Sequence, residues 1–264
     1  MDTKQLACAP TSLILASYFV PFMASVTSKG KSSMAVEPHQ IYQSMMLEIK
    51  VRIRAVDSKL EGSDKYLSSL DTEFCFLQIR KIVEQICFSS ILCDQERYRD
   101  FRKLEGMTSD DDSGSYEDDW NSRVILSKLK DISPHFMPIP LGERQTNGNE
   151  HHFERADVNA THTKLIKIFK KCGSFMHIPK PFGEEYESHI NKQRNRYNQA
   201  TETIKGYSQY FKDLLWHHAA VGLEYSDSSN GLEALDAASP KTAWLVNFED
   251  YESDHISIVL AQAE

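Results

Sequence analysis

The chain has 264 residues, is 41% hydrophobic and 26% charged, and is long enough to bury one sizeable core, as one large domain or two small ones. A formal net charge of −8 excludes wholesale electrostatic capture of nucleic acid or acidic lipid, while leaving room for a local basic stripe that follows a phosphate chain. The five cysteines form no C-x-x-C pair, and Cys75, Cys87 and Cys93 fall in one apolar helical run, which predicts thiols used as small hydrophobes in a reducing, cytoplasmic setting without disulfides or a zinc knuckle.

The opening LACAPTSLILASYFVPFMASV is apolar for nearly the length of a membrane span, but Pro10 and Pro21 interrupt it and little positive charge precedes it. It reads as a poorly ordered leader over residues 1–38 rather than a signal or an anchor. From His39 the apolar positions Tyr42, Met46, Ile49, Ile53, Val56 and Leu60 recur in steps of four and three, the stripe of an amphipathic helix that stops at Gly62. The next run, from Ser69 to Asp94, starts with Asp71 and Glu73 in its first turn. Its apolar circumference is wide, with Phe76, Ile79, Ile82, Val83, Ile86 and Cys87 on one face and Leu77, Phe88 and Ile91 on another. That makes it the central helix, with Arg80 and Glu84 one turn apart at the border of its polar arc.

Residues 105–119 form an acidic, Gly/Ser-containing insertion that reads as a loose loop. Helical periodicity returns from Asp119 to Ser133, and Pro134 ends it. Residues 138–161 read as a second, turn-filled insertion, with Asn147-Gly148 as its turn signal. A helix from Thr163 to His177 then places Leu165, Ile168, Phe169, Cys172, Phe175 and Met176 on one side and Lys164, Lys167, Lys170 and Lys171 on the other. Pro179 and Pro181 forbid its continuation. A long last helix is expected from about Glu184 to Leu223, its apolar stripe including Tyr197, Ala200, Ile204, Tyr207, Phe211, Leu214, His218 and Val221. The tail changes period: Trp244, Val246 and Phe248, then Ile256, Ile258 and Leu260, alternate about the acidic EDYESD, predicting a β-hairpin within residues 240–264 that packs on the bundle of residues 39–223.

Arg80, Lys81 and Glu84 on a central helix, then Cys172, Gly173, His177, Pro181 and Phe182 at the end of a lysine-bearing helix, then the pair His217–His218, resemble the HEPN-type helical domains of bacterial and phage-defence proteins, in an uncharacterised branch of that group. The likeness covers roughly residues 40–222. It implies a mainly α fold, a HEPN-like four-to-five-helix bundle with the hairpin appended. It also implies a metal-independent endoribonuclease of a defence or toxin–antitoxin system, acting as a homodimer on RNA with an antitoxin or effector partner. Cleavage through a ribose 2′-OH needs a base near neutral pKa and a fixed cation at the phosphate. His177 is the candidate base and Arg80 the candidate cation, with His218 and Glu84 orienting them. The closest matches to the family's Arg-then-His spacing are Arg144 to His151, in an irregular loop, and Arg155 to His162, across a loop and a helix start.

Each candidate also has a plainer account. His177 suits the C-terminal dipole of its helix, Arg80 and Glu84 suit a surface i, i+4 ion pair, and His218 suits a hydrogen-bonded core histidine. His151, His152 and His162, with Glu150 and Asp157, lack the spacing of a metal site. No cofactor, metal or membrane is expected. The lysine face, joined by Lys192, Arg194 and Arg196, is chemically able to track an RNA backbone. The competing reading is a non-catalytic helical interaction or dimerisation module that regulates a partner effector.

Overall fold

The computed structural model describes residues 13–16, 37–62, 66–93, 95, 98–99, 102, 124–126, 128–129, 137–147, 150–155, 158–177, 186–224 and 239–263. These residues are mainly helical, with four long helices among them: α1 (Pro38–Glu61), α2 (Ser69–Cys93), α3 (Val158–Phe175) and α4 (Tyr186–Leu215). Residues 124–126 and 128–129 are helical as well. The acidic insertion at 105–119 and most of the leader lie outside the described residues, apart from strand β1 (Leu13–Ala16).

The sequence sets the helix ends locally. Pro38 opens α1 at the position where a missing N–H costs nothing, and the Glu37 N–H donates to Gln40 Oε1 at 3.3 Å. Ser68 caps α2: its Oγ accepts from the Asp71 N–H at 3.1 Å and donates to the Asp71 carboxylate at 2.7 Å. As its wide apolar circumference requires, α2 touches α1, α3 and α4. Tyr42, Met46, Ile49 and Ile53 of α1, Phe76, Ile79, Val83 and Ile86 of α2, Leu165 and Cys172 of α3, and Ile204 and Phe211 of α4 close one core. Cys75, Cys87 and Cys172 are fully buried in it, and burial pushes the Cys75 and Cys172 thiols up to about 12 and Cys87 in the same direction. Thiols held neutral in this way pack as small hydrophobes.

Beside the bundle stands an antiparallel sheet larger than the expected hairpin. Its strands are β1, β2 (Ile139–Asn147), β3 (Glu150–Arg155), β4 (His217–Glu224), β5 (Ser239–Asn247) and β6 (Ser257–Ala263), closed in the order β1-β3-β2-β4-β5-β6. The predicted hairpin is β5–β6, in register from Asn247↔Ser257 to Thr242↔Gln262. Two sequence expectations need correction. Residues 138–161, read as a loose insertion, carry β2, β3 and the start of α3. The last helix does not run to Leu223: it ends at Leu215, and His217–Glu224 is a strand paired with β5 along its whole length. Two tertiary bonds fix that break. The Trp216 carbonyl accepts from the Phe248 N–H at 2.9 Å, and the Leu215 carbonyl, left over at the helix end, accepts from His218 Nδ1 at 2.7 Å.

Alternation along β4 and β5 separates two surfaces. His218, Ala220 and Val246 turn toward the helices, while Ala219, Val221, Ala243 and Leu245 meet Ile139, Leu141 and Ala261 in a second small core within the barrel. Alanines at three of these positions suit a lumen narrower than that of an eight-stranded barrel. Among the described residues no helix is long and apolar enough to cross a membrane.

α4 has 30 residues and spans about 45 Å. Gly206 lies exposed inside it, where an added Cβ would meet nothing within 4 Å. Gly206→Ala is expected to stabilise the protein by about 1 kcal/mol through helix propensity alone, read as a higher urea midpoint. An unchanged or lower midpoint would mean that the chain uses this glycine for something other than helix.

Candidate functional site

Arg80 and Glu84 are brought together. Arg80 Nε donates to Glu84 Oε1 at 3.1 Å, with both side chains about two-thirds buried at 31% and 28% exposure. The guanidinium also lies over the Phe169 ring of α3, 4.1 Å from its centroid. It passes close to Gly173, where an added Cβ would stand 3.5 Å from Arg80 Nη1, an ordinary contact. Stacking and pairing together hold this cation against α3. The stacking contact ties α2 to the helix beside it, while the ion pair stays within α2.

His177 is exposed, in the turn that follows α3. His218 is fully buried at the junction of α1, α4 and β4. Its Nδ1–H donates to the Leu215 carbonyl, so its Nε2 is the acceptor for the Tyr42 hydroxyl at 2.8 Å. Phe248 closes over it with ring centroids 6.1 Å apart. Burial pushes the His218 pKa down to about 4, with neighbouring His217 adding in the same direction against the Leu215 bond. Both ring nitrogens are therefore committed inside the core. Among the described residues no hydrogen bond, ion pair or ring contact joins His177 or His218 to Arg80 or Glu84.

The Arg-then-His spacings fall in the sheet and at its exit. Arg144 pairs with Phe153, and His151 with Thr146, in the β2–β3 ladder. His162 is buried in α3, with Nε2 hydrogen-bonded to the Leu126 carbonyl. Among the described residues no group of three or more His, Cys, Asp or Glu side chains is placed to hold a metal ion.

The feature that gathers chemistry at the surface is the seam between α3 and α4. The two helices run antiparallel: Lys164 lies over the Tyr210 ring at 3.7 Å, and eleven residues along α3, at Phe175, Arg196 stacks at 4.2 Å while its Nη2 donates to the Ser174 carbonyl. Lys171 approaches the same Phe175 ring at 5.5 Å. Lys164, Lys167, Lys170 and Lys171 are all exposed, and α3 carries no carboxylate. Among the described residues none of these four lysines has a carboxylate partner. Exposed Lys192 and Arg194 of α4 continue the positive charge, so a chain of net charge −8 concentrates cations along one seam. Lysine spacing announced this face in the sequence. The aromatic rings that hold Lys164, Lys171 and Arg196 were not announced, because Phe175 read only as an apolar position and Tyr210 fell outside the apolar stripe of its helix.

No protein-family model matches the chain, and neither a curated protein nor a solved structure matches it.

Proposed function

We propose that this protein is a HEPN-like, non-catalytic module that holds RNA by its phosphate chain along the α3–α4 seam. The observation that carries this reading is the exposed run Lys164, Lys167, Lys170 and Lys171 on a helix without a carboxylate. Cations so placed release condensed counterions when they meet phosphates, a gain that falls steeply with salt. The four residues that cleavage would use lend it little support. His218 is sealed and neutral, and Arg80 is committed to Glu84 and Phe169. A second reading, metal-independent RNA cleavage with His177 as base, draws on the exposure of His177 just beyond Lys171 and Arg196.

The test is binding of single-stranded RNA by the whole chain across a salt series, with EDTA present, for wild type and the K167E/K170E/K171E variant. Wild type is expected to bind and leave the RNA intact. The variant is expected to lose at least ten-fold in affinity and to flatten the salt slope by about 2, given about 0.7 per neutralised phosphate on a single strand. Equal binding by a folded variant would sink the seam as the RNA site. RNA cut by wild type and spared by His177→Ala would move the function to the second reading.

A further inference from the structure

The first half of α4 is exposed on nearly every side. Glu187, Ser188, Ile190, Asn191, Lys192, Arg194, Asn195, Asn198 and Gln199 are all exposed, and among the residues whose burial is described the helix contributes its first fully buried one at Ala200. It is nevertheless anchored where it meets the lysine seam: Arg196 bonds the Ser174 carbonyl and stacks on Phe175, and the Tyr197 hydroxyl donates to Glu73 at 2.9 Å. Along this arm Asn191, Asn195, Asn198 and Gln199 recur at i, i+4, i+7 and i+8. At about 100° per residue they form one stripe facing away from the core side marked by Ala200, Ile204 and Phe211. A helix face that only needs to be wet is more stable when built from Glu, Lys or Gln, since Asn ranks among the weaker helix formers. Three asparagines on one exposed stripe therefore call for a reason outside the helix itself.

An amide presents a donor and an acceptor side by side, which matches the N6 amino group and N7 of adenine. We propose that the Asn191–Gln199 stripe reads adenine edges of unpaired RNA whose phosphates lie on the α3–α4 seam, an inference that rests on the RNA-holding function above. Lys192 and Arg194 flank the stripe and supply the charge complementarity that draws the strand to it. The spacing selects unpaired strands. Asn191 and Asn195 stand about 6 Å apart along the helix axis, wider than the ~3.4 Å rise between stacked bases, so neighbouring amides address bases splayed apart, as they are in loops and single strands. A-form duplex RNA hides the major-groove base edges, adenine N6 and N7 among them, in a groove too narrow for a helix.

The experiment is fluorescence anisotropy of the full chain with labelled oligoadenylate, oligouridylate and a duplex DNA of matched length at one salt concentration. Wild type is expected to bind oligoadenylate about ten-fold tighter than oligouridylate, the discrimination of roughly one good bidentate contact. The N191A/N195A/N198A/Q199A variant is expected to bind both RNAs with the oligouridylate affinity and an unchanged salt slope. Its urea midpoint is expected to rise, because alanine is the better helix former. The single variant Asn195→Asp, which keeps the shape and removes the amide donors, is expected to lose part of the same preference. Equal wild-type affinity for the two RNAs would overturn base reading while leaving the phosphate seam standing, and tighter binding of duplex DNA would overturn the choice of unpaired RNA. Absence of binding to either RNA would remove the RNA-holding function and this inference with it.

Discussion

Acidification from pH 7 to pH 4 is expected to remove about 3 kcal/mol of stability through His218 alone, an effect absent from His218→Gln. The origin is the locked tautomer. Leu215 offers only a carbonyl, so Nδ1 must carry the proton, and Nε2 must then be the lone pair that receives the Tyr42 hydroxyl. A second proton on Nε2 would oppose that O–H, inside a site walled by Tyr42 and Phe248. Tyr42 cannot relieve the conflict by ionising, since burial pushes its own pKa well up, with Cys93 adding to the shift against a bond from Ser89. The His218 pKa is about 4 in the fold against a usual 6.5, so between these values the unfolded chain takes up a proton that the folded one refuses. Stability is fully present above about pH 6.5 and drains away as the pH falls toward 4.

Urea unfolding at a series of pH values isolates this term. A glutamine donates to Leu215 through its amide nitrogen and accepts from Tyr42 through its oxygen, so His218→Gln keeps both bonds without the titration. The wild-type curve is expected to fall away from the variant's as the pH drops from 6.5 to 4, ending about 3 kcal/mol lower relative to it than at neutral pH. Parallel curves would mean that His218 protonates as easily in the fold as in the unfolded chain, and the burial argument would fail.

The same residue shows where the sequence was legible and where it was not. Helices α1 and α2 were readable to within a residue at their ends, because Pro38, Gly62 and the Ser68 cap act locally and the apolar stripes face one core. The β5–β6 hairpin was readable from alternation. His217–Glu224 was not. Its Ala219-Ala220-Val221 run continues the helical stripe of α4 by spacing, and only the Phe248 bond to Trp216 and the pairing with β5 decide for a strand. Those partners lie between fifteen (Glu224↔Ser239) and thirty-two (Trp216 to Phe248) residues downstream, beyond the reach of a local period. In β2–β3 the Asn147-Gly148 signal was present where β2 ends, beside the Asn147↔Glu150 pair, but Pro138, Pro140 and Gly142 obscured the strand before it. At the candidate site, the lysine face and the Arg80–Glu84 pair were visible as helical spacings, whereas the burial of His218 depended on that unforeseen strand. The amide stripe of α4 was present in the sequence too. It lay on the polar arc, where helical periodicity assigns no role until the helix is seen to stand clear of the bundle.

Lys50→Met is expected to cost about 3–5 kcal/mol. Lys50 belongs to the buried stripe of α1 and is fully enclosed, yet its ammonium is saturated. Nζ donates to the carbonyls of Phe248 at 2.6 Å, Asp250 at 2.7 Å and His255 at 3.3 Å, and it faces the Trp216 ring at 5.7 Å. Burial lowers its pKa, with Arg54 acting in the same direction and Glu249, Asp254 and Asp250 opposing it. Three carbonyls aimed at one ammonium define the β5–β6 turn, where Glu249 takes the left-handed φ of 55° that side chains rarely adopt. Gln43 adds a bond to the Ile256 carbonyl and Arg54 one to Glu252, so a single polar edge of α1 grips the whole turn. Methionine fills a similar volume but leaves those carbonyls without a donor, each at about 1–3 kcal/mol where water cannot replace it. Because the Phe248 N–H from the same turn holds the Trp216 carbonyl at the end of α4, loosening the turn should also release the α4–β4 junction and the seal around His218. Unfolding by urea, followed by tryptophan fluorescence and by circular dichroism, measures both consequences. A loss of 3 kcal/mol or more, with protection of the His218 ring proton from solvent exchange reduced in the folded variant, is the outcome that makes Lys50 the link between bundle and sheet. A loss below about 1 kcal/mol would show water entering to bond the carbonyls, and the turn would then be held by its side-chain bonds to Arg54, Asp57 and Trp216 instead.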